Sequence, residues 1–116
     1  MRNDLLCPCC GIGANIIQPE FLKRVEALEK ELGYKVKFSS GVRCEKHNKE
    51  VGGEPNSAHL KGYAGDIECI DGREVRKILV RALPIFNRIG ISAKSSGRFI
   101  HVDCDPNLVQ NTIWSY

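Results

Sequence analysis

Apolar residues recur at three- and four-residue spacing through Phe21, Leu22, Val25, Leu28 and Leu32, which predicts an amphipathic helix over residues 19–32. Pro19 stands where a first helical position tolerates it, and Gly33 supplies a stop. The period then changes. Residues 35–39 alternate around Val36 and Phe38, as a half-buried strand does. Residues 44–51 predict a short helix ended by Gly52-Gly53, and residues 54–61 a loop. Residues 63–70 predict a strand, and Asp71-Gly72 marks a turn. Residues 73–83 predict the second main helix, with Val75, Ile78, Leu79 and Ala82 on one face and Pro84 ending it. Two short strands follow, over 88–92 and 98–104, separated by the polar turn Lys94-Ser95-Ser96-Gly97. Strands mixed with two main helices predict an α+β fold with a small, largely antiparallel sheet. Trp114 and Tyr116 are expected to dock on the body.

Strand alternation also sorts the polar residues. Along Phe99-Ile100-His101-Val102-Asp103-Cys104, an inward face of Ile100, Val102 and Cys104 leaves His101 and Asp103 together on the other side. Along Ala64-Gly65-Asp66-Ile67-Glu68-Cys69, the same logic turns Ile67 and Cys69 inward and Asp66 and Glu68 outward. If the two strands are neighbours, His101 and Asp66 converge, and imidazole with carboxylate suits zinc. His59, in the loop entering the Asp66 strand, offers a third ligand. Three protein ligands leave a fourth position for water, the open geometry of a catalytic zinc. The plainer alternative is that a His followed two residues later by Asp is simply solvated.

Length and charge narrow the class. The chain has 116 residues and is expected to form one domain over 1–116. Its formal charge of +3 is compatible with an anionic polymer as substrate, but Lys and Arg are dispersed, so no nucleic-acid partner is expected. No apolar run is long enough for a membrane span, and Met1–Pro8 lacks the apolar core of a secretory signal. The expectation is a monomer, cytoplasmic as synthesised. Of the 6 cysteines, Cys69 and Cys104 end strand-like runs and are expected to pack as small buried apolar groups. Cys7, Cys9 and Cys10 are bunched. They either join Cys44 and His47 in a structural zinc site, pair in part with Cys44, or remain free thiols.

A family resemblance is carried by Ser40-Gly41-Val42-Arg43, His47-Asn48, Gly52-Gly53, Ser57-Ala58-His59-Leu60-Lys61-Gly62-Tyr63-Ala64-Gly65-Asp66, Phe99-Ile100-His101-Val102-Asp103 and Trp114. The chain resembles the M15 zinc D-Ala-D-Ala carboxypeptidases and related phage endolysins, in a short branch with a His-Val-Asp signature. The resemblance covers residues 5–116, and Ser57, His59, Gly62, Ala64 and Asp66 are its specific part. It implies the fold shared by D-Ala-D-Ala peptidases and hedgehog signalling domains, and zinc held by His59, Asp66 and His101. It implies that Arg43 binds a carboxylate or carbonyl of the peptide, unless it serves a local ion pair. Ser57 either hydrogen-bonds near the site or caps the loop. Several M15 branches carry an acid three residues before the last zinc histidine, where this chain has Arg98. Asp103 is then the expected general base, with support of a ligand histidine as its alternative, and Glu68 is a weaker candidate. The implied activity is hydrolysis of peptidoglycan stem peptides, after release to the wall as with a phage or prophage lysin. The alternative is a non-catalytic zinc or peptide-binding module of the same fold.

Overall fold

The computed structural model describes residues 2–13 and 15–116; Met1 and Ala14, which the expected 1–116 span takes in, lie outside the described residues. Helix α1 (Pro19–Leu32) has the predicted bounds, with proline in its first turn and Gly33 closing it at φ 81°. Phe21, Val25 and Leu28 form its buried face, while Glu20 and Arg24 pair at 3.0 Å one turn apart on the outside. Helix α2 (Glu45–Glu50) starts from Cys44, whose sulfur accepts the His47 N–H. Helix α3 (Gly72–Ala82) starts from Asp71, whose carboxylate accepts the Glu74 N–H at 2.9 Å. The Glu74 carboxylate in turn accepts the Ile70 N–H at 3.0 Å, so the two acids close the helix start reciprocally. Asp71→Ala is expected to cost about 1 kcal/mol of stability by urea unfolding, the usual loss for an N-cap acceptor.

The strands are β1 (Phe38–Ser40), β2 (Ala64–Glu68), β3 (Arg88–Ser92), β4 (Phe99–Asp103) and β5 (Thr112–Ser115), in one sheet of order β1-β2-β4-β3-β5. The pairs β1–β2, β2–β4 and β4–β3 are antiparallel, and β5 joins the β3 edge in parallel. Among the described residues the fold is therefore α+β, with a mixed sheet of five strands and three α-helices. The expected strand at 35–39 starts later and runs one residue further, over Phe38–Ser40, where the register to β2 is irregular. Within the expected loop 54–61, Ala58–Lys61 forms a 3-10 turn. Strand β5 is what the docking of Trp114 and Tyr116 becomes: the segment adds to the sheet rather than lying over it.

Ile67, Cys69, Ile89, Ile100 and Val102 join the buried faces of α1 and α3 in one apolar cluster. Phe21 stands within it, its ring 6.1 Å from those of Phe38 and Phe86. Cys69 and Cys104 are buried there as free thiols, and desolvation pushes them up to about 12 and about 11 respectively. They pack as apolar groups, as expected. Since β4 buries Ile100 and Val102 against the helices, period-2 geometry turns His101 and Asp103 to the opposite face of the sheet. No helix among the described residues is long and apolar enough to cross a membrane.

Candidate metal centre

Register places the polar residues in rows across that opposite face. Asp66 on β2 lies across from His101 on β4, His101 across from Gly90 on β3, and Gly90 beside Trp114 on β5. The adjacent row runs Ala64, Asp103, Arg88, Thr112. Neighbours in a row share a face, so the Asp66–His101 and Asp103–Arg88 contacts follow from strand pairing alone.

His59 comes from the 3-10 turn Ala58–Lys61. Ser57 Oγ caps this turn by accepting the His59 N–H at 3.2 Å. Gly62 ends it at φ 79°, and a Cβ there would stand 2.2 Å from the Ile16 carbonyl oxygen. The glycine of the Ser-x-His-x-x-Gly pattern is thus required both by its left-handed backbone and by the close approach of residue 16. Segment 41–43 runs alongside. The Arg43 N–H donates to the His59 carbonyl at 3.1 Å, and His59 Nδ1–H donates to the Gly41 carbonyl at 2.7 Å.

His59, Asp66 and His101 meet with their donor atoms in a triangle. His59 Nε2 is 3.1 Å from His101 Nδ1 and 3.2 Å from Asp66 Oδ1, and His101 Nδ1 is 3.0 Å from that same oxygen. All three residues are buried. The tautomers follow from the outer partners. The Gly41 carbonyl can only accept, so Nδ1 of His59 carries the proton. His101 Nε2–H donates to Asp103 Oδ2 at 2.6 Å. With both rings neutral, as metal binding requires, the two remaining ring nitrogens present lone pairs to each other and to the Asp66 carboxylate. Three acceptors at about 3 Å repel unless a cation or proton sits among them. Tetrahedral zinc with bonds of about 2.0–2.1 Å holds its ligands about 3.3 Å apart, so this donor set and spacing fit a divalent cation. The three are close enough to share one metal ion.

Without a metal, a proton takes the cation's place in the triangle, and its positive charge rests on His101. Burial would raise the Asp66 carboxyl, but the imidazoles of His101 and His59 against it bring it well below the usual carboxylate range. Burial lowers His59, more than Asp66 beside it restores. Burial also opposes charge on His101, yet the carboxylates of Asp103 and Asp66 raise it above the ordinary imidazole value.

The other expected site residues fall around the triangle. Arg43 Nη2 lies 3.5 Å from Asp66 Oδ2, its Nη1 donates to Asn48 Oδ1 at 3.2 Å, and its Nε donates to Ser40 Oγ at 3.3 Å. Arg43 and Ser57 also line a cleft of about 800 Å³ that opens over the triangle. Asp103 is fully buried beside His101, at the wall of the same cleft. Its Oδ1 is 2.9 Å from Arg88 Nε and accepts the Asp105 N–H at 3.2 Å, while its Oδ2 takes the His101 proton. Glu68 is exposed and pairs with Lys37 at 3.4 Å. His47 sits in α2, as expected of a helix residue.

Two participants, the Gly41 carbonyl and Arg88, were not anticipated, and Trp114, expected to dock on the body, had been given no role at the site. The Gly41 carbonyl leaves no mark in a side-chain reading. Arg88 is signalled only once β3 is known to flank β4. Trp114 lies with its ring 5.2 Å from that of His101, and Arg88 stacks 5.0 Å over the indole. Gly90 makes this possible, because a Cβ at 90 would come within 2.5 Å of Trp114 Nε1. Gly90→Ala is expected to displace the indole and cost roughly 1–3 kcal/mol through overpacking. Trp114 is the chain's single tryptophan, so its fluorescence reads the change directly. An unaltered emission spectrum and urea midpoint would contradict the packing described.

A search among curated proteins finds no match to the chain. Residues 2–103 match the family model described as Peptidase M15. That span takes in all three corners of the triangle and the arginines flanking it, and the chain belongs to the Peptidase M15 family.

Proposed function

We propose that this chain is a zinc-dependent peptidase that hydrolyses peptide bonds in the stem peptides of bacterial peptidoglycan, as a D-Ala-D-Ala carboxypeptidase or an endolysin-type endopeptidase. The observation that carries the reading is the convergence of three ligand atoms, His59 Nε2, Asp66 Oδ1 and His101 Nδ1, on one point of the cleft. Membership of the M15 peptidases supports hydrolysis and zinc. Zinc bound there supplies Lewis acidity toward a peptide carbonyl and acidifies water beside it.

The protein's own groups have separable tasks in this reading. His59, Asp66 and His101 hold the metal. The Gly41 carbonyl and the Asp103 carboxylate fix which nitrogen of each imidazole is free, as outer partners of metal-binding histidines do. Asp103 has both oxygens engaged, so we assign it to positioning His101, the alternative to the base role expected from sequence. Ser57 acts through His59 by holding its turn. Arg43 steadies Asp66 and keeps N–H donors toward the cleft, suited to a peptide carboxylate or carbonyl because a guanidinium carries five donors in a planar fork. The enzyme reaches its substrate after release from the cell that makes it, and acts as a monomer of one domain.

One observation favours a second reading, a zinc- or peptide-binding module without turnover. Arg98 occupies the position where several M15 branches carry an acid, and Asp103 is fully committed. Purified cell walls and a synthetic peptide ending in D-Ala-D-Ala decide between the two. New amino groups appearing with zinc-loaded protein, and disappearing with chelator, support the peptidase. Zinc binding with no bond cleaved in either substrate supports the module.

A further inference from the structure

The second convergence of metal-binding side chains lies outside the cleft. Cys7, Cys9, Cys10 and Cys44 bring their four sulfurs within 4.8 Å of one another. Cys7 Sγ is 3.7 Å from Cys9 Sγ, and Cys9 Sγ is 3.1 Å from Cys44 Sγ. Four thiolates around tetrahedral zinc, with bonds of about 2.3 Å, are spaced about 3.8 Å apart. The described thiols are all free.

The backbone builds this cluster from both sides. The Cys7 N–H donates to the Ile12 carbonyl at 2.8 Å and the Gly11 N–H to the Cys7 carbonyl at 2.7 Å, closing residues 7–12 into a tight loop. Gly11, at φ 72°, turns that loop back. The Val42 N–H donates to the Leu5 carbonyl at 2.8 Å and sets the loop against the start of α2. Two backbone N–H groups point at sulfur: that of Cys44 at Cys7 Sγ and that of His47 at Cys44 Sγ, each at 3.4 Å. Such donors stabilise charge on a metal-bound thiolate, as outer partners do around metal sites. His47 therefore contributes its backbone rather than its ring, and the four-sulfur set is complete without it.

We propose that Cys7, Cys9, Cys10 and Cys44 bind a structural zinc ion, distinct from the metal of the cleft. All four positions are filled by protein, which marks a closed site with no place for substrate. Its role is mechanical. Cys44 follows directly on the segment whose Gly41 carbonyl orients His59 and whose Arg43 touches Asp66. The ion ties the N-terminal loop to that segment and so steadies the wall of the cleft. Without it, Cys9 and Cys10 are exposed thiols with no packing role.

The test uses the full chain, purified under reducing conditions and loaded with zinc or cobalt. Wild type is expected to hold about two metal ions, and the His59→Ala/His101→Ala variant about one. Cobalt in that variant is expected to give the intense near-ultraviolet absorption of thiolate-to-metal charge transfer. Cys9→Ser/Cys10→Ser, both at exposed positions, is expected to abolish that absorption. If the histidine variant fails to fold, the wild-type cobalt spectrum carries the same test, because imidazole and carboxylate ligands give no such band. Absence of the band in wild type overturns the proposal, as does its persistence in the cysteine variant. So does finding the four thiols alkylated as fast in the zinc-loaded protein as in the metal-free one. These outcomes are independent of the cleft, since failure of the catalytic reading removes turnover and the non-sulfur metal while leaving the sulfur band in place.

Discussion

Replacing His59 and His101 together by alanine is expected to remove the cleft metal and reduce peptide-bond hydrolysis by roughly 10³–10⁴-fold or more. The size follows from what is lost. A bound metal contributes several kcal/mol of transition-state charge stabilisation, and each 1.4 kcal/mol is a factor of ten in rate. With both imidazoles gone, Asp66 keeps only Arg43 as a close charged partner, and one carboxylate does not hold zinc against water. Metal analysis and turnover on cell walls should fall together. A variant that still cleaves within tenfold of wild type would show that the chemistry lies elsewhere.

Asp103→Asn is expected to weaken zinc binding in the cleft by about 10–100-fold, the usual loss when the outer partner of a metal-binding histidine is changed. The substitution keeps the shape but removes the charge that takes the His101 Nε2 proton at 2.6 Å and pairs with Arg88 at 2.9 Å. An amide in that place can offer either its oxygen or its NH₂, and the second choice presents the wrong partner to the ring. Excess zinc should then restore much of the activity. The base role makes the opposite demand. Zinc would stay bound, and kcat would fall by about 10²–10⁴-fold with no rescue by metal. Zinc titration beside kcat therefore separates the two roles in one variant.

Much of this centre is legible in the sequence, because two of its three corners sit on strands. Alternation in 99–104 assigned His101 and Asp103 to one face, and the same rule assigned Asp66; the register Asp66↔His101 then brings them together. Helix 19–32 was readable because a five-residue apolar stripe leaves no other period. What stayed hidden depends on contacts across the chain. Arg88 is an ordinary strand-edge arginine until β3 is seen beside β4. Strand β5 has too few residues, with Ile113 exposed, to show an alternation of its own. The tautomer of His59 is set by the Gly41 carbonyl, which every residue type possesses. Asp103 illustrates a different limit. Sequence placed it on the right face, but only the Arg88 and Asp105 contacts reveal that its oxygens are occupied.

Strand β4 carries the core on its even positions and the metal centre on its odd ones. One peptide unit gained or lost within residues 99–103 would therefore exchange the two, sending isoleucine into water and imidazole among phenylalanines. Insertions are expected to be tolerated only in places where parity does not matter. The exposed stretch 93–97 between β3 and β4 is such a place, open to grafted tags or loops.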